Sequence, residues 1–156
     1  MMHLLMLAFS VVVAASATAA FADDECGESR QIGVLALNMY HEARGDGHDA
    51  MLAVGEVTLN RVKRSRWPDN VCDVVYQRSQ FSWTHTINNH TPDEEESWNI
   101  ALDIAEGLIY NKIELLGTKA THYINPDKVK IIPSWIDKLE FVGRLGNHVF
   151  YEEKET

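Results

Sequence analysis

Apolar positions recur at helical spacing through most of the chain and give way to short alternating runs near its end. From about Ser29 to Ala43, the residues Ile32, Leu35, Ala36, Met39 and Ala43 fall at i, i+3, i+4, i+7 and i+11, which draws one stripe of an amphipathic helix. A second helix is predicted from Asp46 or His48 to about Lys63. Its stripe is Ala50, Ala53, Val54 and Val57, with Arg61 continuing the same line. "PDNVCDVVYQ" allows a short third helix. "TPDEEESWNIALDIAEGLIYNK" carries helix-start signals: Thr91 as N-cap, Pro92 at the first position and Glu94 closing a capping box. The apolar face of that helix is Trp98, Ala101, Leu102, Ala105 and Ile109. After Gly117, "THYINP" and "EFVGRLGNHVFYE" are short, turn-punctuated and rich in aromatic and β-branched residues, so they read as two or three strands. The predicted class is α+β, a mostly helical domain with a small C-terminal antiparallel sheet.

Length and charge narrow this picture. At 156 residues the chain suits a single domain with one core. The stretch from Leu4 to Ala22 has no charged residue and ends in Ala20-Phe21-Ala22, a small-x-small cleavage pattern. Residues 1–22 are therefore expected to be a signal peptide and 23–156 the folded domain, secreted or periplasmic. A retained anchor is the rival, because the uncharged run is long enough to span a bilayer. All of the formal charge of −9 lies after Ala22, which disfavours nucleic acid as a partner, since phosphate binding needs clustered Lys and Arg. No membrane contact beyond the leader is expected, and a monomer is. The chain has two cysteines, Cys26 and Cys72, and in an oxidising compartment two cysteines read as one disulfide.

The candidate chemistry gathers around "MYHEARGDG". At 100° per residue Glu42 falls on the flank of the first apolar stripe, while His41 leans to the solvent side. A carboxyl at such a boundary is partly desolvated, which raises its pKa and favours the protonated form that a general acid needs. The competing reading is a boundary charge paired with Arg44 or Arg61. A metal site is not expected: Gly45 stands where the second histidine of H-E-x-x-H belongs, and the other histidines lack ligand spacing. No cofactor is expected either. Gln80, Phe81, Ser82 and Trp83 combine an amide, a hydroxyl and two aromatic faces on one loop, which suits a sugar; a loop plugged by its own aromatics fits the same residues. His122, Tyr123 and Asn125 form a second such group. Asn60 and Arg61 end the second helix on its buried side, where Arg61 reads as structural support for a carboxylate. Asn147 follows a glycine in a turn and reads as a choice of backbone conformation.

In order along the chain, Glu42-Ala43-Arg44-Gly45, Leu59-Asn60-Arg61-Val62, Tyr76-Gln77, Gln80-Phe81-Ser82, His122-Tyr123-Ile124-Asn125-Pro126 and Arg144-Leu145-Gly146-Asn147-His148 resemble the motif series of the SleB-type cell-wall hydrolases. Each fragment is weak alone; the ordered series is specific. Asp46 stands where that family commonly has Glu, and Leu145 where Ile is usual. No spore-type peptidoglycan-binding repeat precedes the matched series, so a role in spore germination is not among the expectations. The resemblance implies a lysozyme-like fold, peptidoglycan glycan strands as substrate, and the glutamate of E-A-R-G, here Glu42, as catalytic acid and base. It supplies one carboxylate, whereas hydrolytic glycosidases use two. That points to lytic transglycosylation between N-acetylmuramic acid and N-acetylglucosamine. A muramidase route in which Glu56 or Asp46 activates water stays open, although Glu56 falls off the predicted buried face. A non-catalytic wall-binding protein is the reading from another class.

Overall fold

The computed structural model describes residues 26–113 and 116–154; the expected signal peptide and the boundary at residue 23 lie outside the described residues. Helix α1 (Glu28–Ala43) leads through a 3-10 turn (Arg44–Asp46) into α2 (His48–Val62). Gly47 makes the corner with φ of +88°, a conformation that a side chain would strain. Then come α3 (Val71–Tyr76), the single turn α4 (Trp83–Thr86) and α5 (Glu95–Ile109). Strands β1 (His122–Ile124), β2 (Leu139–Leu145) and β3 (His148–Glu153) form an antiparallel sheet in the order β1-β3-β2, with a bulge between Phe141 and Gly143. The α+β expectation therefore holds. Cys26 and Cys72 are joined in a disulfide that ties the start of α1 to α3.

Helix α2 is the centre of the fold. One side of it packs in the core formed with α1, α3 and α5, and Ala53 and Val57 meet Ala120 and Phe150 of the sheet side. Every residue from Ala50 to Thr58 is buried, so the stripe expected of an amphipathic helix covers only part of its true contact surface. Glu56 is the main casualty of that expectation. It is 1% exposed, and its Oε1 accepts the Thr118 amide at 2.9 Å. A helix surrounded on all sides has no outer face on which to leave a charge.

Helix α5 starts later than the capping-box signature indicates. Its N-cap is Glu94, and Thr91 lies upstream in non-helical chain. The reason is tertiary: the Tyr40 hydroxyl of α1 accepts the amides of Asp93 and Glu94 at 3.2 and 3.1 Å and donates to the Asp93 carboxylate at 2.8 Å. Glu94 in turn is drawn to Arg44 at 2.8 Å instead of reaching back to cap its own helix. Among the described residues no helix is long and apolar enough to cross a membrane.

Candidate active site

Glu42 sits one residue before the end of α1, where the loop between α3 and α5 and the sheet approach from opposite sides. A cleft of about 480 Å³ opens there. It receives Glu42, Arg61, Gln80, Phe81, Ser82, Trp83, Tyr123 and Asn125, eight of the residues singled out in the sequence. A second cleft of about 390 Å³ adjoins it on the α1–α2 corner and takes in Arg44, Asp46, Glu94 and Asn147. Glu42 lines both, and so do His41 and Lys128.

The Glu42 carboxyl is shifted upward, chiefly because burial removes it from water; Tyr123, Lys128 and Arg61 oppose that shift without cancelling it. Across the cleft the Tyr123 hydroxyl is buried and makes no hydrogen bond of ordinary geometry, yet it interacts with the Glu42 carboxyl. Burial, and then the charge of Glu42, push the Tyr123 phenol well above its usual range, so it stays a neutral hydroxyl. Arg61 is 5% exposed, lies 5.2 Å from the Phe81 ring centre and donates from Nε to the Thr121 carbonyl at 2.8 Å. Its Nη1 is buried without a partner. Arg61 therefore faces the carboxyl as a positive charge and at the same time anchors the strand that brings Tyr123.

The two aromatics of the Gln80–Trp83 loop serve as wall more than as platform. Phe81 and Trp83 are 2% and 3% exposed and belong to the core, while Gln80 and Ser82 are exposed at the rim. The Trp83 indole donates to Asn38 Oδ1 at 2.9 Å, and Asn38 donates onward to Thr58 at 3.2 Å. This buried relay from α2 through α1 fixes the cleft wall. No periodicity marks Asn38, which simply falls at a core position of α1.

His41 does not lean to solvent. Its ring stacks on Trp83 at 4.6 Å, and its Nε2 is 3.2 Å from the His90 carbonyl. The loop that carries Trp83 and His90 folds over this side of α1, and burial lowers the His41 pKa. A neutral imidazole thus borders the acid. His122 goes the other way. Neighbouring residues of a strand point to opposite faces, so while Tyr123 enters the cleft, His122 lies between Trp67 and Trp135, at 5.9 and 5.2 Å. Burial there, helped by Arg61, lowers its pKa to about 4.

The remaining expected residues hold the walls. Asn60 donates to the Thr118 and Ala120 carbonyls, both at 3.0 Å. Arg44 pairs with Glu94 and lies 4.8 Å over the Tyr40 ring. Asn147 does more than permit a turn: its amide donates to Asp46 Oδ1, and Gly146, with φ of +55°, supplies the left-handed residue. Asp46 Oδ2 also lies 3.1 Å from His148 Nδ1, which secures the β2–β3 turn against the α1–α2 corner. Among the described residues no group of three His, Cys, Asp or Glu is placed to hold a metal ion.

A family model described as Cell Wall Hydrolase matches residues 45–151. The matched span begins three residues after Glu42. The chain is similar to the spore cortex-lytic enzymes of Halalkalibacterium halodurans, 29% identical over 119 residues, and of Bacillus subtilis, 27% identical over 124 residues. Those matches cover 76% and 80% of this chain but only 34% and 38% of the relatives, so it spans little more than a third of their length. Among solved structures it is similar to the catalytic domain of the germination-specific lytic transglycosylase SleB from Bacillus anthracis. There the TM-score is 0.60 and the identity 26%, over 78% of this chain and 93% of that one. The catalytic domain of the Bacillus cereus SleB protein shares the fold with a TM-score of 0.64 at 23% identity, over 83% and 97% of the two chains.

Proposed function

This chain belongs to the cell wall hydrolase family, and from that premise we propose that it cleaves peptidoglycan glycan strands between N-acetylmuramic acid and N-acetylglucosamine as a lytic transglycosylase. The observation that carries the reading is the carboxylate inventory. Among the described residues Glu42 is the one carboxyl group lining the main cleft. In the adjoining cleft Asp46 is engaged by Asn147 and His148, and Glu94 by Arg44. Glu56 lines neither cleft. A hydrolase of the two-carboxylate kind needs a second group free to act on water or on the sugar. The description of the similar Bacillus anthracis domain as a lytic transglycosylase agrees with this count.

In this mechanism protonated Glu42 gives its proton to the glycosidic oxygen as the bond to the muramic acid C1 breaks, and the electron pair leaves with the N-acetylglucosamine O4. The resulting carboxylate takes the proton of the muramic acid C6 hydroxyl, and O6 closes on C1 to leave a 1,6-anhydro end. Burial serves the first step by holding the proton on Glu42 to higher pH than in water. The Arg61 charge eases the proton's departure by favouring the carboxylate that forms, and burial keeps that carboxylate basic enough to take the C6 hydroxyl proton. Such a substrate, together with the uncharged run from Leu4 to Ala22 read as a signal peptide, supports action outside the cytoplasm.

The test is purified chain on peptidoglycan, with products read by mass spectrometry. Anhydro ends are expected; reducing ends would move the assignment to a muramidase. Glu42→Gln keeps shape but has no proton to give, and should lower the rate by roughly 10²–10⁴-fold. A variant as fast as wild type would remove Glu42 from the chemistry, and binding without cleavage by wild type would leave a wall-binding protein.

A further inference from the structure

The main cleft carries charge of one sign on a chain of the other. The formal net charge is −9, yet two of the three Lys, Arg, Asp or Glu side chains of the main cleft are the cations Arg61 and Lys128, and burial shifts the third, Glu42, toward its neutral form. Arg61 is committed to Thr121 and buried behind the cleft wall. Lys128 is exposed, and among the described residues its ammonium has no hydrogen-bond or ion-pair partner. Its place is set by a tight turn: the Lys128 amide donates to the Asn125 carbonyl at 3.1 Å, and Asn125 Oδ1 accepts the Asp127 amide at 3.0 Å. That turn puts Lys128 on both clefts where they meet at Glu42.

Resting on the function proposed above, we infer that Lys128 is a specificity-determining residue that pairs with a carboxylate of the glycan substrate beside the scissile bond. Muramic acid carries a lactyl group at C3, whose carboxylate is free in peptide-stripped strands and amide-linked in peptide-bearing ones, where the stem peptide supplies carboxylates of its own. Both sources present the same chemistry to an unpaired ammonium. The pair forms before the bond breaks and persists through the reaction, so it belongs to binding more than to the chemical step.

The experiment compares wild type, Lys128→Gln and Lys128→Arg on three soluble substrates. These are peptide-bearing glycan strands, strands stripped of peptide by an amidase, and stripped strands whose lactyl carboxylates have been converted to amides. Lys128→Gln should raise KM about fivefold on a carboxylate-bearing substrate, the size expected of one exposed charge pair, while kcat, compared at each variant's own optimum pH because Lys128 also lowers the Glu42 pKa, changes less than KM. Lys128→Arg should stay near wild type. On the amidated strands wild type and Lys128→Gln should coincide. An effect confined to stripped strands assigns the lactyl carboxylate, and one confined to peptide-bearing strands assigns the stem peptide. An unchanged KM on both, or an equal penalty on the amidated strands, overturns the inference. Wild type inert on all three would instead overturn the proposed function.

Discussion

Breaking the Cys26–Cys72 disulfide should lower stability strongly while leaving the chemistry almost untouched at low temperature. The cross-link closes a loop of 46 residues, and chain-entropy arguments for a loop of that length give about 4 kcal/mol at 25 °C. A domain of this size loses about 3–4 °C of Tm per kcal/mol, so reduction should lower Tm by about 12–16 °C. The bond lies at the far end of α1 from the site: the 16 residues of that helix, at 1.5 Å each, set it about 24 Å from Glu42. Helix α1 is also held by Asn38, Met39 and Tyr40 in the core, so its C-terminal end keeps its position without the cross-link. Thermal melts with and without a phosphine reductant, and of the Cys26→Ser, Cys72→Ser double variant, measure the first effect. Initial rates at 15 °C measure the second. A Tm change under about 4 °C would show that the unfolded chain gains little freedom from the open loop, and a rate lost in step with the bond would show that α1 is not held as described.

Two further predictions concern the site. The Glu42 carboxyl is raised in the fold above its ordinary 4.5, so the native chain keeps this proton to higher pH than the unfolded chain does. Its contribution to stability is complete below the unfolded value and drains away as pH rises through the folded one. Glu42→Gln should therefore have a higher Tm than wild type at pH 7, with the gap closing toward pH 4; equal Tm values across that range would refute the shift. At Gly146, with φ of +55°, a Cβ would lie 2.7 Å from Asp46 Cβ, an atom too near the backbone to swing aside. Gly146→Ala should cost about 1–3 kcal/mol from conformational strain and overpacking, and should lower activity by displacing Asp46 from Asn147 and His148. Urea denaturation together with turbidity assays would show whether both losses occur.

Periodicity places the long helices well because each buries at least one stripe, and it places Glu42 because the flank of that stripe is a core boundary; the single turn α4, with Trp83 alone buried, has no stripe to read. It misjudged the residues whose surroundings come from distant chain. His41 is on the far side of the α1 stripe, but the Trp83–His90 segment lies against it. Glu56 is off the α2 stripe, but the approach to β1 closes over it. The Thr91 cap was a sound local signal overridden by a hydroxyl from another helix. Adjacency in sequence groups His122 with Tyr123, but the pleat of a strand sends them to opposite faces. Lys128 has no local signature, since its place at the junction of two clefts is set by tertiary structure.

The polar residues buried on α2 show how the fold and the site depend on the same bonds. β1 is an edge strand of three residues paired only to β3, too short to hold the cleft wall by its ladder alone. Glu56, Asn60 and Arg61 add four side-chain hydrogen bonds from α2 to the backbone of residues 118–121, immediately before that strand. At about 1 kcal/mol each these are worth several kcal/mol, comparable with the disulfide. On the opposite side Asp46 ties the β2–β3 turn to the α1–α2 corner. The upward shift of the Glu42 carboxyl depends first on desolvation. Desolvation is lost when a wall moves by the width of a water molecule. The mechanism proposed above uses one carboxyl as both acid and base, which calls for a sheet fixed rigidly to the helices, and the bonds of the buried Glu56 and Arg61 supply that attachment at some cost in solvation.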